Sequence, residues 1–556
     1  MSQEASFNLV DEPWVHIRDE EGGARDVSLI ELFEQAPHIK CLANDLPTQD
    51  FAILRVLLAI LQRSIATIVD EDDDPAEVWG DLWRAGELPV ADIRAYLDTW
   101  HDRFDLFDEK RPFMQVAGLR TARGETSDIK KIVADIPDGD MLFSLRTGRG
   151  TESLSYPEAA RWLIHVQAFD TSGIKSGTVG DPRVKGGKSY PIGTGWAGGL
   201  GGLYFEGATL FETILLNLIV RGTEDGEMFS EEDLPSWERP VEDASPDDRF
   251  PTGRLDLYTW QSRRVRLVSK GGRVVGVVLT NGDKLEPRNL HQYEPMTAWR
   301  RSLPQEKKLK QSPVYLPRAH QPDRALWRGL DSVFGDGSGD DLPSIIRPGV
   351  ESWVSHLAGR EGGHQIDRGH PLKVHAVGLA YGTQSSVITN VIDDKVELSA
   401  FLLSYEGESL VALAKDCAAS TSDAVYALGY LAGDLCRATG ASGAEQIDGA
   451  RLSARSQAFF EVDAPFRRWL AGLGEHSDAE EERTRWRRQA RSILNASAYD
   501  LLREAGSDAI AGAPVRDKSG KVVEWMTAAR AKARFDAKLR KALPLEEDVA
   551  RDKEVR

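Results

Sequence analysis

The sequence predicts an α+β chain: a large mixed α/β N-terminal domain over residues 1–395, followed by a helical domain over residues 396–556. Three observations carry this. Arg264–Val268 and Val274–Leu279 are β-branched runs flanking Lys270-Gly271-Gly272, the signature of a β-hairpin. Asp170 to Gly207 holds twelve glycines in 38 residues, too many for a helix interior. From about Glu397 onward, strand patterns give way to segments with apolar residues three and four apart.

In chain order, Phe7 to Ile17 (FNLVDEPWVHI) reads as a short strand broken at Pro13. A helix is expected from near Pro47, with Thr48 beside its cap and Ile53, Leu54, Leu57, Leu58 and Leu61 on one face, stopping before Asp70 to Pro75. Thr121 to Asp140 is polar and reads as loop, as does the glycine-rich stretch. A second apolar helix is expected from about Leu210 to Val220. A further hairpin is predicted from Lys373–Ala380 and Ser386–Val391 about the turn Tyr381-Gly382-Thr383-Gln384. The helical quarter divides into Leu398–Ala418, Ser422–Ala438, Leu452–Leu473, Ser477–Ala505 and Glu524–Leu543. Ser477-Asp-Ala-Glu480 has the form of a capping box. Helices with short glycine-containing connections pack as a bundle.

Composition narrows the function. The longest apolar run, Phe51 to Leu61, is interrupted by Arg55 and is far shorter than the ~20 residues that span a bilayer. No membrane partner is expected. The sequence starts without the basic-then-apolar pattern of a secretory signal, and three cysteines (Cys41, Cys417, Cys436) form no CxxC pair. A reducing cytoplasm is the expected setting. The formal charge of −19 argues against a nucleic-acid partner until its distribution is seen. Asp70–Asp74 and Glu224–Asp248 hold 15 of those 19 excess charges, whereas Met296–Leu330 carries eight Lys/Arg against Glu306 and Asp323. A local basic stretch suits phosphate contact; a solvated face is the ordinary alternative.

Catalytic patterns are missing: no GxSxG elbow, no GxxxxGK[ST] phosphate loop, and no cysteine beside a histidine in a known arrangement. His364, His370 and His375 form the one local histidine cluster, but their spacing matches neither HExxH nor a zinc finger. No cofactor, metal or catalytic residue is expected. A free-standing metal-dependent enzyme using these histidines is the competing reading, and a purely structural scaffold is the third.

Five motifs occur in order: Phe7-Asn-Leu-Val-Asp-Glu-Pro-Trp14, Arg111-Pro-Phe-Met-Gln-Val-Ala-Gly118, Gly173-Ile-Lys-Ser-Gly177, Leu210-Phe-Glu-Thr-Ile-Leu-Leu-Asn217 and Ala380-Tyr-Gly-Thr-Gln-Ser-Ser386. With the helical C-terminal quarter, they resemble the large subunit (CasA family) of the type I-E CRISPR Cascade surveillance complex. The resemblance implies a C-terminal four-helix bundle and a non-catalytic role in an RNA-guided complex. That role is to recognise the protospacer-adjacent motif (PAM) on double-stranded DNA, start strand separation, and help recruit the helicase-nuclease. The implied partners are target DNA, guide RNA and the other Cascade subunits.

The resemblance also implies site residues. Lys175 and Gly177 lie at the start of a glycine loop that reads the PAM from the minor groove, and Gly198 and Gly199 at its end. An extra stretch containing Asp181 to Tyr190 separates the two parts. A loop without side chains can press its backbone into a groove, and the minor groove's degenerate code would tolerate related PAMs. Arg300 and Arg301 match a basic minor-groove finger, for which Lys307, Lys308 or Lys310 could stand in. Phe143 matches an aromatic residue near the guide RNA's 5′ end. Gln384 matches the glutamine of a wedge that parts the first base pair; Thr383 beside it is also a candidate DNA contact, although Gly382 and Thr383 depart from the amide pair of some relatives. The C-terminal basic faces, Arg483–Arg491 and Arg530–Lys541, are candidates to follow a DNA backbone.

Overall fold

Alternating apolar residues Val15 and Ile17 turn one face of the first strand inward, where both are fully buried. This strand, β1 (Val15–Asp19), pairs antiparallel with β2 (Ala24–Val27) and β3 (Ile39–Leu42). It begins after Trp14 rather than at Phe7, because the residues before it are engaged elsewhere: Asn8 bridges to Asp105, and the Trp14 indole donates to the Leu9 carbonyl. The computed structural model describes residues 5–66, 68–69, 73–136, 146, 150, 152–220, 231–336, 342–517, 519–546 and 548. It divides into two units, Met1–Arg324 with Asp331–Asp367 and Leu372–Lys395, and Ala325–Leu330 with Arg368–Pro371 and Val396–Arg556.

The Pro47–Ile65 helix runs through the first unit with sixteen of its nineteen residues buried. Proline at its first position has no amide to lose and presets φ for the helix. Thr48 does not cap it; its hydroxyl lies 2.9 Å from His165 Nε2 in the core. Arg55, the charge that interrupts the apolar run, is buried. Its guanidinium donates to both carboxylate oxygens of Glu294 (2.9 and 2.7 Å) and to the Leu257 carbonyl (3.0 Å). A buried charge persists only with such a partner set. Glu294 also accepts from the Trp196 indole at 2.7 Å, which fixes the end of the glycine-rich stretch to the core.

That stretch is not all loop. It contains β4 (Lys175–Ser176) paired with β5 (Lys188–Ser189), a 3-10 turn at Trp196–Gly199, and β6 (Gly202–Glu206). β6 is a core strand, with Leu203 and Phe205 fully buried, and the glycines before it mask its pattern. The helix after it, Leu210–Asn217, ends three residues before Val220. β7 (Arg263–Lys270) and β8 (Arg273–Asn281) form the expected hairpin. β9 (Trp299–Arg301) lies between β10 (Tyr315–Pro317) and β11 (Ile345–Ile346). β12 (Pro371–Tyr381) lies between β6 and β13 (Ile388–Ser399), with His375 opposite Tyr204. This hairpin is longer than expected, since Asp393, Asp394 and Lys395 interrupt the apolar pattern without ending the strand.

The second unit is a four-helix bundle of Glu408–Ala438, Ala444–Ala471, Ala479–Ala511 and Ala528–Ala542. The first of these merges two expected helices. Gly429 and Gly433 lie in it because a Cβ at either would meet Arg455 or Arg451 of the second helix at 2.7 Å. At the core, Phe466 stacks on Trp327 (4.3 Å between rings) and meets Trp486 edge-on (4.9 Å). The Trp486 indole donates to Thr421 Oγ1 at 2.8 Å. Asp478, not Ser477, caps the third helix by accepting from Glu480 and Glu481. The third helix deviates at Gly506 (φ 67°). A hairpin of β14 (Ala513–Arg516) and β15 (Val522–Met526) follows it, a pair of strands that the helical periodicity around them conceals.

Candidate nucleic-acid interface

Three of the expected elements converge within the first unit. The glycine loop begins at Asp170, whose carboxylate is buried between two cations: Lys175 Nζ at 2.5 Å and the Arg263 guanidinium. Burial alone would raise this carboxyl, but Lys175 and then Arg263 outweigh it and hold it below the usual carboxylate range. Arg263 also donates to the carbonyls of Thr171 (3.1 Å) and Gly193 (2.8 Å), so one guanidinium ties both arms of the glycine-rich stretch. Lys175 is thus an internal partner, with its ammonium turned to Asp170. Gly177 is required by the hairpin itself. A Cβ there would meet Val184 at 2.5 Å and the Gly187 backbone at 2.9 Å.

Gly198 and Gly199, adjacent in sequence, have different surroundings. A Cβ on buried Gly198 would lie 2.3 Å from the Tyr381 hydroxyl, whereas exposed Gly199 faces open space. Tyr381 ends β12 and donates to the Phe169 carbonyl at 2.7 Å, immediately before the glycine loop. Beyond it the chain reverses through Thr383–Ser385, with Thr383 and Gln384 exposed and Gln384 at φ 56°, ψ 21°. The Ser172 amide donates to the Ser385 carbonyl at 2.8 Å, which joins the glycine loop directly to the hairpin tip. Lys175, Gly177, Gly198, Gly199, Thr383 and Gln384 therefore belong to one connected neighbourhood.

The basic segment 296–330 does not act as one patch. Arg301 forks onto Glu306 at 2.7 and 3.2 Å, and the Arg328 guanidinium lies 3.6 Å from the Phe459 ring centre within the second unit. Arg300 is exposed on β9 with no ion-pair partner among the described residues, and Lys307, Lys308 and Lys310 are exposed at and after the short Leu303–Leu309 helix. A Cβ at Gly201 would lie 2.2 Å from the Arg318 carbonyl, so the strand that pairs with β9 passes beside the end of the glycine stretch. On the bundle, Arg483 and Arg491 pair with Asp416 and Asp548, and Arg534 with Glu524. Phe143 lies outside the described residues.

The histidines do not assemble into a centre. His375 Nε2 lies 2.5 Å from Asp393 Oδ1 and Nδ1 3.5 Å from Glu206 Oε2. Burial would lower its pKa, but Asp393 and Glu206 together raise it. His364 Nδ1 is 3.0 Å from the Ala358 carbonyl. Among the described residues no three His, Cys, Asp or Glu are placed to hold a metal, and no helix is long and apolar enough to cross a membrane.

Sequence reasoning missed Asp170 and Arg263, the pair that builds the loop. Their partnership spans 93 residues, and the one local signal was an arginine heading an apolar strand.

The chain matches the family described as CRISPR-associated protein Cse1 over residues 8–496. It is similar to the CRISPR-associated protein CasA/Cse1 of Thermus thermophilus, with 31% identity over 304 residues. These cover 53% of this chain and 55% of that protein, so it spans little more than half the length of this curated relative. The crystal structure of Thermobifida fusca Cse1 superposes with a TM-score of 0.86 at 42% identity, covering 97% of this chain and 98% of that one. A chain from a CRISPR RNA-guided surveillance complex shares the fold at a TM-score of 0.70 and 18% identity, covering 97% and 99%. With its family matched over most of its length and its fold shared end to end, the chain belongs to the CRISPR-associated Cse1 family.

Proposed function

We propose that this chain is the large, non-catalytic subunit of a cytoplasmic, RNA-guided surveillance complex, and that it recognises the PAM on double-stranded DNA and starts strand separation. One observation carries the reading: the glycine loop, the Gly198–Gly199 turn and the Thr383–Gln384 tip are tied to one another through the Ser172–Ser385 hydrogen bond and the Tyr381 side chain. In this reading the exposed backbone at Gly199 faces the minor groove. Arg300 supplies the basic finger, and Gln384 enters the duplex beyond the motif. Lys175, Gly177 and Gly198 act by holding that arrangement, and Arg301 stands behind Arg300. Residues 1–395 carry DNA recognition and residues 396–556 the bundle, which faces the other Cascade subunits and the recruited helicase-nuclease. Phe143 contacts the guide RNA.

The reading predicts that the assembled complex binds duplex bearing its PAM at least tenfold more tightly than duplex lacking it. It also predicts that Gln384→Ala slows opening of a fully paired target, while a target with its first base pairs already mismatched is opened normally. Equal impairment on both targets would assign Gln384 to motif contact or fold stability. Loss of PAM discrimination in the unmodified complex would refute the reading.

A further inference from the structure

A cleft of about 270 Å3 opens beside the hairpin tip. Asp170–Ser176 forms one wall, Lys130–Ala134 with Ile136 a second and Ser386–Ile388 a third, with Leu279 of β8 among the lining residues. Cations predominate among its charged lining residues. Lys130, Lys131 and Lys175 line it, and Asp170 is the one lining carboxylate among the described residues, already engaged by both Lys175 and Arg263. Asp128, the nearest acid to Lys130 in sequence, caps the Ile129–Lys131 turn by accepting from the Lys130 amide. Lys130 and Lys131 are both exposed, and Lys131 is near enough to Lys175 to disfavour its charge, behind burial and Arg263.

The rest of the lining is mixed, with hydroxyl groups such as those of Ser127, Ser172 and Ser386 lying among apolar side chains. Ile174 is 57% exposed at the rim, and Val387 and Ile388 line the facing wall. Lysines beside apolar side chains and hydroxyls suit a group with a phosphate at one end and a flat, weakly polar ring at the other. The volume lies just below the ~300 Å3 at which small-molecule pockets begin, which is room for one such group.

Position completes the argument. The Ser172–Ser385 hydrogen bond sets the mouth against the tip that carries Gln384. If that tip parts a base pair, as proposed above, the freed nucleotide is unstacked at a cost of a few kcal/mol, which a receiving pocket offsets. Resting on that reading, we propose that this cleft receives one unpaired nucleotide of the opened duplex, its phosphate held by Lys130 and Lys131 and its base set against Ile174 and Val387. The interface then holds the strands apart as well as parting them.

The test uses the assembled complex and targets carrying 2-aminopurine at successive positions beyond the motif, each fully paired or with the first base pairs mismatched. Binding should change the fluorescence of one position far more than that of its neighbours. Lys130→Ala/Lys131→Ala should abolish that change and weaken binding of the mismatched target by about tenfold. Because these lysines face the glycine loop from the opposite wall, discrimination between PAM-bearing and PAM-lacking duplex should be retained. Exposed Ile174→Asp, which puts a negative charge at the mouth, should act in the same direction, and its melting temperature reports folding. The mismatched target separates the two readings: Gln384→Ala is rescued on it, and the cleft variants are not. Unchanged fluorescence and affinity in the folded double variant would overturn the proposal even where motif recognition and wedging hold. If motif recognition itself fails, the mismatched target still reports on the cleft alone.

Discussion

The two long hairpins of the first unit reverse the chain in opposite ways. β7 and β8 are joined through Gly271 and Gly272 at φ 60° and 75°, where glycine pays no steric cost. β12 and β13 are joined through Thr383–Ser385, where Gln384 and Ser385 adopt φ 56° and 53°. For residues with a Cβ this left-handed conformation costs about 1–2 kcal/mol each. The first turn is relaxed and makes no demand on its surroundings. The second holds side chains where glycine would be easier, and such strain persists only when neighbouring structure over-determines it. Those neighbours are the Ser172–Ser385 hydrogen bond, the Tyr381–Phe169 hydrogen bond and the buried Asp170 triad beneath them.

If the support is what distinguishes the second hairpin, removing it should have the largest effect. Asp170→Asn leaves Lys175 and Arg263 buried without a counter-charge, and breaking a buried pair in this way costs about 3–5 kcal/mol. Denaturant unfolding of the purified chain measures it. The pH dependence has a defined sign. The folded carboxyl titrates below the ~3.9 of an unfolded aspartate, so its contribution is complete above about pH 4 and is lost as pH falls through the folded value. The variant should lack that part of the acid limb. A loss below about 1 kcal/mol would show that the loop is held by its backbone alone.

Next come the two adjacent glycines. Gly198→Ala drives a methyl group into the hydroxyl of a half-buried, hydrogen-bonded tyrosine, and overpacking of this kind costs about 1–3 kcal/mol. Gly199→Ala meets nothing and should change stability by less than about 0.5 kcal/mol. On DNA the proposed function reverses their order. Gly199→Ala, folded normally, should lose motif binding because its methyl group stands where the groove approaches, whereas any loss for Gly198→Ala should follow its loss of stability.

These pairs mark the limit of what the sequence discloses. The β7–β8 hairpin, the Pro47 start of the long helix and the apolar faces of the bundle were legible because each is a local pattern of spacing. β6 was hidden because the glycines that let its neighbourhood pack closely also erase its alternation. β14 and β15 were hidden because they are short and lie within a helical region. At the interface, the turn residues were legible as a motif, but the roles of Gly198 and Gly199 were not separable. The tyrosine that distinguishes them arrives from a strand far along the chain. Lys175 read as part of the loop that meets the PAM, and only the fold shows that its charge is directed to Asp170.

Exchanging the character of the two turns tests the comparison directly. Gln384→Gly relieves the left-handed strain and should stabilise the chain by up to about 1 kcal/mol, less the extra entropy that glycine loses on folding. Gly272→Ala should destabilise it by about 1 kcal/mol. Thermal melts of both variants should therefore shift in opposite directions. Strand opening on paired targets should fall for Gln384→Gly in spite of its gain in stability and stay unchanged for Gly272→Ala. A Gln384→Gly variant that opens DNA normally would mean that the tip's backbone, not its side chain, does the work.

The smallest effect separates two neighbouring arginines on β9. Each phosphate contact contributes about 0.9 to the slope of log affinity against log salt. Arg301 is committed to Glu306 through two hydrogen bonds, which also hold the Glu306 carboxyl below its ordinary range. Recruiting its charge to DNA would mean giving up that fork, whereas exposed Arg300 has no such partner to leave among the described residues. Arg300→Ala should flatten the salt slope of the complex by about one unit, and Arg301→Ala should leave it unchanged. Titrations on one PAM-bearing duplex between low and physiological salt resolve the difference. Equal flattening by both would show that Arg301 leaves Glu306 on binding, and the Glu306→Gln variant would then bind more tightly than the unmodified chain. If neither moves the slope, the finger is supplied from Lys307, Lys308 or Lys310 on the exposed turn that follows.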